Sequence, residues 1–156
     1  MTETSSENQL WFLDSFVTIR VSSSEGQDGI SVLDHRIPYG SSPPLHFHHA
    51  EDEVLHVLEG EFRLKVGDQE HRVGAGDIRL IPKGVPHTYR VESANAGRCL
   101  TITARGEFER FVRAISRRAE RPGLPAPAGP PSAEAIEALK TSAAEFGIEF
   151  VGPPLH

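Results

Sequence analysis

Through the first two thirds of the chain, apolar residues recur at every second position, in short runs that end at glycine or proline. That period puts alternate side chains on opposite faces of an extended strand. The clearest run is Glu61 to Val66, with Phe62, Leu64 and Val66 on one face and Glu61, Arg63 and Lys65 on the other. Glu59-Gly60 predicts a turn before it. Gly67-Asp68-Gln69 predicts a hairpin turn after it, with Glu70 to Val73 pairing back. Upstream, Trp11 to Val21 is rich in aromatic and β-branched residues and reads as one or two strands broken near Asp14-Ser15. Ser22 to Gly29 reads as a loop, and Ile30 to Ile37 as a strand ended by Pro38-Tyr39-Gly40. Ile78 to Ile81, His87 to Val91 and Arg98 to Ala104 complete the strands, with Leu55, Val57, Phe62, Leu64, Leu80 and Ile102 expected to line an apolar interior.

The period changes after Ala104. Glu107 to Glu120 carries Phe108, Phe111, Val112 and Ile115 at helical spacing, with Arg110, Arg113, Arg117 and Arg118 on a solvated outer face. A proline-rich connector runs from Arg121 to Pro131. Ser132 then caps a second helix whose apolar stripe is Ile136, Leu139, Ala143 and Phe146, and Gly147 stops it. The tail Ile148 to Val151 is suited to an edge strand. The pattern predicts a disordered segment over 1–9, an all-β sandwich or closed barrel over 10–104, and a C-terminal helical extension over 105–156 packed on the barrel.

Composition narrows this further. A length of 156 residues suits one domain with a sizeable core, and 14 Gly with 12 Pro favour a turn-rich β fold over a bundle. A net charge of −6 argues against nucleic acid as partner. The single cysteine, Cys99, excludes an internal disulfide, and no apolar run is long enough to span a membrane. With no apolar signal region at the start, a cytoplasmic location is expected.

The candidate chemistry gathers in Gly40 to Gly60, GSSPPLHFHHAEDEVLHVLEG. His46 and His48 lie two apart, so on a strand both imidazoles face the same side, about 7 Å apart along the chain. The chain re-extends at Glu53, which can return a carboxylate to the same point, and His87 opens a later strand after the rigid turn Pro82 to Pro86. Three imidazoles and a carboxylate suit Fe, Mn, Ni, Cu or Zn, whereas Ca and Mg want all-oxygen shells. Four protein ligands leave up to two positions open on an octahedral-type ion, which marks a catalytic metal. Tyr89 lies on the His87 face, where its hydroxyl either meets substrate or oxygen or belongs to a core aromatic. His49 alternates to the opposite face, and His56 is packed or at a subunit contact. His71 sits on a hairpin arm, and His35 is undecided because its strand has apolar residues of both parities. Glu51 and Asp52 read as a solvated turn.

These stretches resemble the two motifs of the cupin superfamily. The first is carried by Gly40, His46, His48, Glu53 and Gly60, and the second by Gly76, Pro82, Gly84 and His87, with Val91 where the family usually has Asn. The resemblance implies a double-stranded β-helix (jelly-roll) barrel with a metal inside one end, followed here by two C-terminal helices, and it implies a homodimer. The small architecture with a three-His, one-Glu set looks most like quercetin dioxygenase-like cupins. That implies oxidative cleavage by O₂ of a flavonol-like or other enol or aromatic small molecule, with Glu53 as ligand and general base and Tyr89 as a second catalytic candidate. The alternatives are a non-oxidative isomerase or polyketide cyclase using the metal as Lewis acid, and a non-catalytic small-molecule binding module. The last ranks lowest, since there is no room for a DNA-binding helix-turn-helix.

Overall fold

Two antiparallel sheets face each other in the computed structural model, which describes residues 5–156, and the strand alternation decides what lies between them. In chain order the strands begin with β1 (Gln9–Phe12), β2 (Ser15–Val21), β3 (Ser31–Ile37) and β4 (Leu45–His48). There follow β5 (Glu53–Glu59), β6 (Glu61–Val66), β7 (Gln69–Gly74), β8 (Ile78–Ile81), β9 (His87–Val91) and β10 (Gly97–Thr103). Helix α1 (Glu107–Ile115) leads to β11 (Arg117–Arg118), and α2 (Ala133–Glu145) leads to β12 (Ile148–Gly152). One sheet runs β11-β1-β2-β3-β10-β5-β8 and the other β12-β4-β9-β6-β7. The C-terminal extension therefore contributes a strand to each sheet, β11 beside β1 and β12 beside β4. No helix among the described residues is long and apolar enough to cross a membrane.

One half of the barrel is closed by a dry core. Ile37, Leu55, Val57, Phe62, Leu64, Val73, Ile81, Val91 and Cys99 are all buried and pack together. Each comes from the inward parity of its strand, so burial of these faces drives the two sheets together. Gly60 lets β5 turn into β6: its φ is 81°, and a Cβ there would come within 2.8 Å of the Ala96 carbonyl oxygen.

Val91 belongs to this closed half. It is fully buried opposite Phe62, whose ring also leaves no room for a Cβ at Gly97, 2.7 Å away. An Asn at this position would bury an amide among apolar side chains. Val91→Asn is accordingly expected to lower stability by about 2–4 kcal/mol, read as a reduced urea midpoint with an unchanged slope.

Four sequence expectations change. Leu80 and Ile102 do not line the interior: both lie opposite Val54, on the outer face, and Leu80 is 59% exposed. With Glu53, Leu55 and Val57 inward on β5, the neighbours of Val54 must point out, and Ile81 and Thr101 take the inward places. Helix α1 ends at Ile115 instead of Glu120, because Ser116 turns extended and Arg117–Arg118 pair with Trp11 and Leu10. The guanidinium groups of Arg117 and Arg121 lie 4.5 and 5.1 Å from the centre of the Trp11 ring, and that cation–π attraction, with the strand pairing, outcompetes their helix propensity. Of the segment expected to be disordered, residues 1–4 lie outside the described residues, whereas Ser6–Asn8 form one 3₁₀ turn and Gln9 starts β1. Fourth, Glu51 is buried instead of lying in a solvated turn.

Candidate metal centre

At the other end of the barrel the two sheets close on a group of titratable side chains. Strand β4 lies between β9 and β12, and its register sets His46 directly opposite His87. The two rings are 4.4 Å apart between centroids, and His48 stacks on His87 at 5.4 Å. One nitrogen from each of His46, His48 and His87 lies within 4.8 Å of the others, so these three could hold one ion. Glu53 enters from the opposite sheet as the first residue of β5. Its Oε2 is 3.1 Å from His87 Nε2 and 3.6 Å from His48 Nε2. The structure thus brings together all four side chains that the sequence had nominated.

Hydrogen bonds outside the cluster aim the imidazoles. His46 Nδ1 donates to the Pro44 carbonyl at 2.8 Å and His87 Nδ1 to the Val85 carbonyl at 3.0 Å. A carbonyl can only accept, so Nδ1 carries the proton and each Nε2 is turned inward, as metal-binding histidines require. His48 is different: both ring nitrogens are buried without a hydrogen-bond partner among the described residues. An orphaned buried polar atom costs about 1–3 kcal/mol. A cation shared with His46 and His87 would satisfy one of the two His48 nitrogens, and the donor set of three imidazoles and one carboxylate fits a divalent transition metal.

The electrostatics agree. Burial pushes Glu53 up, but the hydrogen bond and charge of His87, with His48 and His46, outweigh it and hold the carboxyl down at about 2. Burial, then the neighbouring imidazoles of His87 and His48, hold His46 at about 3. Burial also lowers His48. For His87 burial acts downward, yet the Glu53 hydrogen bond and charge prevail and raise it. Near neutral pH Glu53 is ionised and His46 and His48 are neutral, the forms that bind metal.

The cluster opens into a cavity of about 1310 Å³ that is roofed by α1, α2 and the connector before α2. Phe12, Phe108, Phe111, Leu139 and Phe150 make most of its walls apolar. Tyr89 lines it too, packed edge-on against Phe62, and burial holds its hydroxyl well above the usual phenol range, so it stays an O–H.

Glu51 is not part of a solvated turn. Its carboxylate is 1% exposed and accepts the backbone N–H groups of Arg105, Glu107 and Phe108, at 3.0, 2.8 and 3.1 Å. These are orphan donors at the start of α1, and the helix dipole favours the negative charge there. Glu51 thereby ties the loop between His48 and Glu53 to the helix that delivers Phe108. Asp52 does remain exposed, accepting from Lys83 N. No local signal in the sequence distinguishes the two carboxylates, because the helix N-terminus lies more than fifty residues downstream.

Sequence reasoning also left His35 undecided. Ser31, Leu33, His35 and Ile37 share the inward parity of β3, and His35 is 4% exposed on the cavity wall. Its ring stacks on Phe108 at 6.0 Å, and its Nε2 has no partner among the described residues. His49 is exposed and meets Glu149 at 3.0 Å, while His56 and His71 are half-buried outside the cavity.

The buried histidines make the metal-free protein acid-sensitive. Burial holds His35 at about 4, against 6.5 for an ordinary histidine. Between those values the unfolded chain binds the proton and the folded chain does not, so stability falls as pH falls through that window. His35 alone contributes a loss on the order of 3 kcal/mol by pH 4, to which His46 adds. Urea midpoints of metal-free protein at pH 7, 5.5 and 4.5 are expected to decline in that order, and less steeply in His35→Leu.

Comparison with known proteins places this architecture. Residues 34–103 match the family described as Cupin domain. Quercetin 2,3-dioxygenase of Bacillus subtilis is 32% identical over 76 residues, covering 49% of this chain and 22% of that protein. An uncharacterized protein of Methanocaldococcus jannaschii is 32% identical over 57 residues, 36% of this chain and 46% of that protein. The match spans less than half the length of either curated relative. Among solved structures, a predicted oxalate decarboxylase of Thermotoga maritima superposes with a TM-score of 0.55 at 21% identity, over 58% of this chain and 79% of that one. The fold is the double-stranded β-helix, and the cupin-domain match covers its central strands, from the end of β3 through β10.

Proposed function

We propose that this protein is a metal-dependent oxidoreductase, a dioxygenase acting on a flavonol-like or other enol or aromatic small molecule. His46, His48, Glu53 and His87 would hold the ion, one of Fe, Mn, Ni, Cu or Zn. The observation that carries the reading is His48, buried without hydrogen-bond partners among the described residues, its Nε2 3.6 Å from Glu53 and its ring beside those of His46 and His87. A bound ion supplies Lewis acidity and, where it is redox-active, the means of activating O₂. The chain's own residues do the rest. The aromatic walls take a flat apolar substrate and exclude water, which strengthens every polar contact inside. Glu53, ionised and aimed into the cavity, accepts the proton of a substrate hydroxyl, and Tyr89 donates its O–H to a substrate oxygen. The similarity to part of a quercetin 2,3-dioxygenase supports the substrate class.

For assembly we propose a homodimer formed through the outer face of the larger sheet, where Val32, Ile102, Val54 and Leu80 align in register across four strands.

Untagged protein analysed for metal content, then assayed for O₂ uptake with a panel of flavonols and enols under several added metals, tests the activity. O₂ consumption matched to loss of one substrate is expected. Turnover that runs equally fast without oxygen would remove the dioxygenase and leave the Lewis-acid enzyme, an isomerase or cyclase.

A further inference from the structure

The metal cluster does not use His35, yet this is a fourth imidazole on the wall of the same cavity. We propose that His35 is a substrate-contacting residue, its Nε2 holding a hydroxyl or carbonyl oxygen of a flat aromatic ligand seated against Phe12 and Phe108. The inference rests on reading the cavity as the substrate site, and it adds the group that orients the ligand there.

His35 sits mid-strand on β3, clamped between Val17 of β2 and Cys99 of β10, so its ring cannot swing out to solvent. Its neighbours toward the cavity are Phe12, edge-on at 6.4 Å, and Phe108, stacked at 6.0 Å with 16° between the planes. Neither offers a hydrogen-bonding atom. Nε2 is left buried and unpartnered among the described residues, on the wall of a cavity large enough for a multi-ring molecule. Leucine in its place would pack as well and orphan nothing, so fold stability alone gives no reason for an imidazole here. Buried polar atoms left open in this way mark places where a ligand completes the pairing. Burial keeps the ring neutral, so one nitrogen can donate to a carbonyl or accept from a hydroxyl.

Phe108 sets the distance to the metal cluster. The same ring that stacks on His35 meets His48 edge-on at 5.7 Å. A ligand oxygen at His35 therefore lies across one aromatic ring from the proposed metal, which suits a ligand with two oxygen-bearing ends, one for each site.

Zinc-loaded protein and its His35→Leu variant, titrated without oxygen with quercetin and with the oxygen-free control naphthalene, test this. The expected result for His35→Leu has three parts. Quercetin binds about 10- to 100-fold more weakly, naphthalene affinity and zinc content are unchanged, and the ligand-free protein melts about 2–6 °C higher because the orphaned nitrogen is gone. His35→Gln, which keeps a donor and an acceptor, recovers part of the quercetin affinity. Equal quercetin affinity in wild type and His35→Leu overturns the proposal, as does equal weakening of both probes. A leucine variant that melts below wild type or fails to fold also overturns it, since it would mean that the imidazole is structural. Wild-type protein that binds no quercetin overturns the substrate-site reading itself, and this inference with it.

Discussion

His46→Ala is expected to lose its metal and its activity together. His46 supplies one of three imidazole nitrogens within a 4.8 Å group, its Nδ1 bond to the Pro44 carbonyl leaves Nε2 as the ligand atom, and alanine offers nothing in its place. Loss of residues that merely orient a metal ligand lowers affinity about 10- to 100-fold. Removing a ligand outright should exceed the upper figure. Elemental analysis after dialysis is the direct measurement, and stoichiometric metal retained by the variant would sink the assignment. Stability offers a second readout. At free metal 100 times Kd the wild-type fold gains about 2.7 kcal/mol, a rise in Tm of roughly 5–10 °C for a chain of this size. His46→Ala should show almost none of that metal-dependent rise, whatever its metal-free melting temperature.

The second large effect is expected at a buried carboxylate outside the proposed ligand set. Glu51→Ala leaves three backbone N–H groups at the start of α1 without their acceptor and removes a charge that the helix N-terminus favours. Hydrogen bonds to a charged group contribute about 1.5–3 kcal/mol each and do not simply add, so a loss of about 3–5 kcal/mol is expected. Metal-free protein should melt roughly 10 °C lower. Glu51→Gln keeps an acceptor oxygen and should lose less. Because Glu51 also fastens the loop between His48 and Glu53, metal affinity is expected to fall with stability. A Glu51→Ala protein that melts with the wild type would show that the helix start is held by something else.

Much of this protein was legible along the chain because the informative relations are local. Spacing of two places His46 and His48 on one strand face, and the alternation of Glu61 to Val66 assigns inner and outer sides without reference to any partner. The cap at Ser132 and the stop at Gly147 bound α2 by groups only a few residues away. Where local signals competed, the reading failed. Arg117 and Arg118 carry ordinary helix propensity, but pairing with Trp11 and Leu10, over a hundred residues upstream, and the Trp11 face under Arg117 draw them into a strand.

The chain by itself settled the strand period, the two histidine-bearing segments and the helical extension, since each is a property of neighbours within a few residues. Only the folded molecule decided that Leu80 and Ile102 face outward, that Glu51 holds a distant helix, and that His35 shares a cavity with the metal cluster. Those outcomes depend on sheet register and on which element covers the barrel mouth. They are set by burial and pairing between segments far apart in sequence, where a shift of one residue exchanges inside for outside.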